Sequence, residues 1–187
     1  MPSGCAGSDG WHDSSPSSLA PCTRPCRRSL TDRLPTDRFA ARAIVLTPDD
    51  RILLVRFSPP HALDGWWATP GGALDAGETH EEGLRRELLE EAGIEAPIGP
   101  CVWTRVHEFD WGERFVRQIE RYYVVRVQSD EIAPQLDLAA EDVHGIRWWT
   151  LPELEASDEV FAPRRLPQLI RRLLKDGPPA EPFDAGV

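Results

Sequence analysis

From residue 39 onward, apolar and polar positions fall into two alternating textures. The runs AARAIVLT and RILLVRF are aliphatic and β-branched, and PDD (Pro48 to Asp50) separates them. They read as two antiparallel strands joined by a tight turn, at the centre of a sheet. A loop, FSPPHALDGWWATPGG, follows, with a short strand around Trp67 leading into Pro70, Gly71 and Gly72. The period then changes. Leu84, Leu88 and Ala92 repeat at helical spacing, Thr79 and Glu82 have the form of a capping box, and Gly93 suits a left-handed stop, so a helix is predicted over 80–92. Residues 97–107 read as a strand, 109–114 as a hairpin turn and 114–127 as the longest strand. Alternation on that strand puts Gln118, Glu120 and Tyr122 on one face and Ile119, Arg121 and Tyr123 on the other.

A polar loop, SDEIAPQLDLAAEDVHG, leads to a short IRWW strand. Thr150 and Glu153 then form a second capping box, with Pro152 in the first turn. Within 163–177, Leu166, Leu169, Ile170, Leu173 and Leu174 make one stripe with arginines opposite, a helix that covers the sheet and ends at Gly177-Pro178. The expected architecture is one α/β domain over 37–176: an α/β/α sandwich with a mixed, twisted sheet between the first helix and the terminal ones.

Outside that domain the texture is lost. Residues 1–36 are rich in Ser, Pro, Gly and Arg with almost no aliphatic side chains, which predicts a disordered tail; 177–187 read as a second tail. The N-terminal segment lacks the apolar run of a signal peptide, and its aspartates weaken a transit-peptide reading. Cys5, Cys22 and Cys26 lie in it without a paired zinc-ligand spacing. With no disulfide framework and no run of about 18 apolar residues, the expected setting is a reducing cytoplasm and no membrane. The net charge of -10 argues against nucleic acid as the main partner, because that needs a basic footprint.

The charge has a local focus. Glu87, Glu90 and Glu91 share an arc of roughly 100° on the predicted helix. Three carboxylates within one turn repel each other unless water screens them or a cation sits among them. Charge pattern alone leaves both readings open. Counting from Gly72, the chain reads Gly, five residues, Glu78, seven residues, then Arg86, Glu87, Leu88, one residue, Glu90, Glu91, one residue, Gly93 and Ile94. This resembles, with no departure, the G-x5-E-x7-R-E-U-x-E-E-x-G-U signature of the Nudix hydrolases, where U is aliphatic.

The resemblance implies a Nudix-type fold and metal-dependent hydrolysis of a nucleoside diphosphate linked to another group. It implies Mg²⁺, with Mn²⁺ as an alternative, held by Glu87, Glu90 and Glu91 and by the carbonyl of Gly71. Arg86 and Glu78 look like an orienting pair, equally readable as a fold-stabilising ion pair, and Gly72 allows a tight turn before the helix. Some relatives place an acid on the strand that here carries Glu120, a candidate further ligand. The plain reading is an exposed pair with Arg114, Arg117 or Arg121. Several members draw a general base from the loop that here holds Glu141, with Asp142 beside it; a surface carboxylate is the alternative. The bases to be weighed are therefore Glu90, Glu91, Glu141 and Glu120.

Trp66 or Trp67, ahead of Pro70-Gly71-Gly72, is placed to stack on a base, or to fill core as most tryptophans do. The substrate expected is a small nucleotide or nucleotide sugar of ADP-ribose type. An oxidised nucleoside triphosphate, a dinucleoside polyphosphate and a capped RNA end are also family substrates, the last least suited to an acidic chain. A non-catalytic nucleotide-sensing module is the rival reading, although its box glutamates are usually damaged. An isomerase on this fold would need a catalytic cysteine, and Cys101 has no such setting. Dimers are common among relatives, so a homodimer is open.

Overall fold

The computed structural model describes residues 34–58, 65–112, 114–135 and 143–186. The predicted N-terminal tail, up to residue 33, lies outside them, as do Glu141 and Asp142.

The first strand, β1 (Thr36–Leu46), and the second, β2 (Ile52–Phe57), flank the predicted turn. Thr47 and Arg51 close it through their backbones, and Asp50 takes a positive φ of 59°. The two strands pair antiparallel, but only at Leu46 and Ile52. Beyond that point they part, and each finds other neighbours. Strand β2 pairs antiparallel with β3 (Trp66–Ala68) and with β6 (Val143–Trp149). Strand β1 runs parallel to β5 (Arg114–Arg126) from Thr36 opposite Val116 to Leu46 opposite Arg126.

The opposite edge of β1 takes the segment that enters the signature. Ala43 N–H donates to Pro70 O at 2.8 Å, Ala41 N–H to Gly72 O at 3.0 Å, and Leu74 N–H to Phe39 O at 3.0 Å. The box is thus fastened by main-chain bonds to a central strand.

Strand β4 (Ile98–Trp111) forms an antiparallel hairpin with β5. It is longer than the sequence indicates: residues 109–111 continue the strand, and the reversal comes at Gly112, with φ 58°. Alternate aromatic side chains keep this stretch extended, as β-propensity favours.

The sheet is covered on both sides. The helix α1 (His80–Ala92) packs Leu84, Leu88 and Ala92 on Ala41, Ala43, Val45, Tyr123 and Val125. On the other side, α2 (Leu151–Ala156) and α3 (Leu166–Asp176) bring Leu154, Leu166, Leu169, Ile170 and Leu173 against Ile44, Leu46, Leu54, Trp103 and Tyr122. The expected α/β/α sandwich around a mixed sheet is the one found. Both capping boxes form as their spacing predicts.

The predicted C-terminal tail is corrected in part. A short strand β8 (Phe183–Asp184) pairs parallel with β4, Phe183 lies against Trp103, and Ala185 is buried. Two residues between Pro182 and Ala185 carry no periodic signal, which is why the sequence reads as tail. The remaining strand, β7 (Phe161–Ala162), is equally short and pairs with β3. Among the described residues no helix is long and apolar enough to cross a membrane.

Candidate active site

The signature folds around Arg86. Its Nε and Nη2 donate to the two oxygens of Glu78 at 2.9 and 3.0 Å, a forked pair. Nη2 also reaches Ala73 O at 3.0 Å, and Nη1 donates to Glu87 Oε1 at 2.9 Å and Glu90 Oε2 at 3.3 Å. One guanidinium thereby ties the loop ahead of the helix to two of its glutamates. Glu78 is held at a pKa of about 2, first by Arg86 and then by the Asp75 backbone N–H. Burial pushes the Glu87 carboxyl up, against the pull of Arg86, so it is a desolvated acid that a cation would relieve.

Glu91, 8% exposed, accepts from Gly71 N–H at 2.8 Å. Two glycines make that approach feasible. Gly71 has φ 123°, and a Cβ there would lie 2.3 Å from Ala41 O. A Cβ on Gly72 would lie 2.4 Å from Glu87 Oε1. The carboxylate of Glu87 fits into the space that glycine leaves.

The donor set, three carboxylates and a backbone carbonyl, suits a hard divalent cation. Among the described residues no three acidic, His or Cys side chains are gathered tightly enough to hold one. Arg86 holds Glu87 and Glu90, and Nη1 of Arg42 donates to the Gly71 carbonyl. Arginines stand at the oxygens a metal would take.

Arg42 leads to Glu120, which is 1% exposed. Its partners differ from the expected Arg114, Arg117 and Arg121. Oε1 accepts from Arg42 Nε at 3.1 Å and Gln118 Nε2 at 2.7 Å, and Oε2 from Arg105 Nη1 at 3.0 Å and Tyr122 O–H at 2.8 Å. Burial alone would raise its pKa, but the attraction of Arg42 and Arg105 outweighs this and holds it at about 2. Arg117 pairs instead with Asp37. The alternation of β5 placed Glu120 correctly on the face with Gln118 and Tyr122. It could not say that arginines of β1 and β4 lie across that face, because register between distant strands is not local information.

Trp67 is core: 8% exposed, edge-on to Trp149 at 5.1 Å. Of the two candidates for stacking, Trp66 is the one with partial exposure, and it already stacks on Phe57 at 5.9 Å. Cys101 donates to Trp103 O at 3.6 Å, and burial pushes its thiol up, which disfavours a thiolate nucleophile.

This arrangement of box helix, glycine turn and mixed sheet matches the NUDIX domain over residues 36–171, and the chain belongs to the Nudix family. It is 30% identical over 107 residues to Nudix hydrolase 25 of Arabidopsis thaliana, covering 49% of this chain and 61% of that protein. It is 31% identical over 127 residues to an RNA pyrophosphohydrolase of Pseudomonas aeruginosa strain LESB58, covering 58% of this chain and 78% of the relative. The chain thus spans less than two thirds of the Arabidopsis protein. Its fold is similar to the Nudix domain of Shewanella oneidensis NrtR, solved with ADP ribose, with a TM-score of 0.58 and 21% identity over 76% of this chain and 91% of that one.

Proposed function

We propose that the chain hydrolyses the diphosphate bond of a small nucleotide-like molecule, a nucleoside diphosphate linked to another group. The observation that carries this reading is the contact between the box helix and the glycine turn. Glu91 holds Gly71 N–H, and Glu87 fills the space beside Gly72, so two carboxylates of the box reach the glycine turn. Glu87, Glu90, Glu91 and the Gly71 carbonyl would hold Mg²⁺ or Mn²⁺. Such an ion, when bound, polarises phosphoryl oxygens and offsets charge on the leaving group.

The chain's own groups do the rest. Arg86 aims Glu87 and Glu90, and Glu78 keeps Arg86 in place. Glu90 and Glu91 are the candidates to take a proton from the attacking water, with Glu141 a further one outside the described residues. Glu120, whose oxygens already accept four donors, serves in this reading by holding Arg42 beside the Gly71 carbonyl.

The test is product release with Mg²⁺ or Mn²⁺ from a panel of nucleoside diphosphate derivatives, for the native chain and for Glu90→Gln. Turnover lost in the variant while nucleotide binding persists supports hydrolysis. Equal signals from both proteins sink it and favour the nucleotide-sensing binding module.

A further inference from the structure

The sheet extends past the helices that cover it. On the face carrying α2 and α3, the apolar cluster ends at Ile44, Trp103 and Tyr122. Beyond those positions the same face of β4 continues as Arg105, His107, Phe109 and Trp111, because side chains alternate along a strand. Register places these opposite Glu120, Gln118, Val116 and Arg114 of β5, and β1 adds Arg38 opposite Gln118.

Two features of this surface are unlike ordinary core or ordinary solvent-facing sheet. The first is aromatic. His107 stacks on Phe109 at 5.1 Å and 17°, and Phe109 on Trp111 at 6.2 Å and 27°. The ladder ends on Trp111, which is 54% exposed, with the flat guanidinium of Arg38 lying 4.3 Å from its ring centroid. The second is charge. Arg42 and Arg105 pair with Glu120 here, whereas Arg38 donates to Gln118 Oε1 and has no carboxylate hydrogen-bonded to it among the described residues, in a chain whose net charge is -10. Arg105 Nε and His107 Nδ1 are buried, with no hydrogen-bond partner among the described residues. A guanidinium with no carboxylate bonded to it, such as that of Arg38, is a group an anion can pair with.

The two features are joined by shape. An open cleft of about 760 Å³ is lined by Asp37, Arg38, Trp111 and Arg114 and by the box loop, Leu74 to Glu78, with its carboxylates Asp75 and Glu78. Along β1, Arg38 and Arg42 are four residues apart, about 13 Å at the rise of an extended strand. Arg42 touches the Gly71 carbonyl. A nucleotide whose phosphates pass Arg42 and Arg38 would bring its base toward Trp111, which Arg38 covers.

We infer that the Phe109–Trp111 end of the ladder is the subsite for the planar base of a nucleotide substrate, and that Arg38 and Arg42 line the path of its phosphates toward Gly71. The inference rests on the hydrolytic reading above for the phosphate end, and adds the base end. The guanidinium of Arg38 covers Trp111 in the free protein. A base takes that face on binding, and Arg38 turns to the phosphates.

The test is calorimetric titration of the full chain with AMP and with ribose 5-phosphate, which has the same anion and no base, in chelator-treated buffer. The native chain is expected to bind AMP more tightly. Trp111→Ala should weaken AMP about tenfold, leave ribose 5-phosphate unchanged and so erase the difference, while Trp111→Phe keeps it. Trp111 is half exposed, and far-ultraviolet circular dichroism verifies that the variants fold. Equal binding of the two ligands by the native chain, no binding of either, or AMP affinity indifferent to Trp111→Ala would overturn the inference. Parallel turnover with Mg²⁺ separates the two ideas. Hydrolysis with an unchanged KM in Trp111→Ala leaves the function standing and the subsite refuted. Trp111-dependent AMP binding without hydrolysis does the reverse.

Discussion

Arg86 and Glu78 meet through two parallel hydrogen bonds of 2.9 and 3.0 Å, and the remaining amino group of that arginine spans Glu87 and Glu90. The forked geometry requires a planar guanidinium. Arg86→Lys is therefore expected to behave like Arg86→Gln, each lowering kcat/KM by about 10- to 100-fold, as loss of a ligand-orienting partner does. Steady-state kinetics of both variants checks this, and recovery by lysine would show that charge alone suffices.

Gly72 is needed for the space it leaves. In Gly72→Ala the added methyl meets the Glu87 carboxylate and drives it from its place. Affinity for Mn²⁺ should fall by roughly tenfold with the fold intact, measurable by titration calorimetry. Gly71→Ala should do worse, because a positive φ and the Ala41 carbonyl both resist a side chain, and its melting temperature should drop as well.

Glu120 is the counter-charge between two half-buried arginines, Arg42 and Arg105. Glu120→Gln should cost about 3 to 5 kcal/mol in urea unfolding, since Arg42 and Arg105 would then face each other unneutralised. The pH dependence has a definite sign. The folded pKa, about 2, lies below the ordinary value of 4.5. The stabilisation is complete above 4.5 and drains away as pH falls from there through about 2. Urea midpoints measured down this range should fall less steeply in the variant than in the native chain.

Removing 181–187 should expose the edge of β4 and one side of Trp103. Loss of the partly buried Phe183 from that contact should cost at most about 1.5 to 3 kcal/mol, and the melting temperature of the shortened chain reports it. An unchanged melting temperature would mean that β8 contributes nothing to folding.

The sequence was most informative where physics is local. Thr79 with Glu82, Thr150 with Glu153 and Gly93 set helix ends through bonds spanning three or four residues, and the stripe Leu84, Leu88, Ala92 named the buried side of α1. What it could not carry was pairing at a distance. Nothing near Arg42 announces that it meets Glu120 and the Gly71 carbonyl, and the alternation of β5 cannot tell an exposed arginine from one on β1 or β4. The length of β4 was missed for another reason: Asp110 and Gly112 resemble a turn, and the stacking of Phe109 on Trp111 that keeps the strand going spans positions two apart. The packing role of Trp67 needs its neighbour Trp149, some eighty positions later.

The segment from Pro70 to Leu74 is bound to β1 through peptide groups, which every amino acid but proline supplies alike. Of the side chains projecting from the same strand, Arg38 lines the cleft and Arg42 reaches the Gly71 carbonyl. On the proposed reading, place of attack and choice of ligand are written in two different alphabets on one strand. Mutation can revise the second while the first stays legible, a route by which one scaffold diversifies its diet without relearning where to cut.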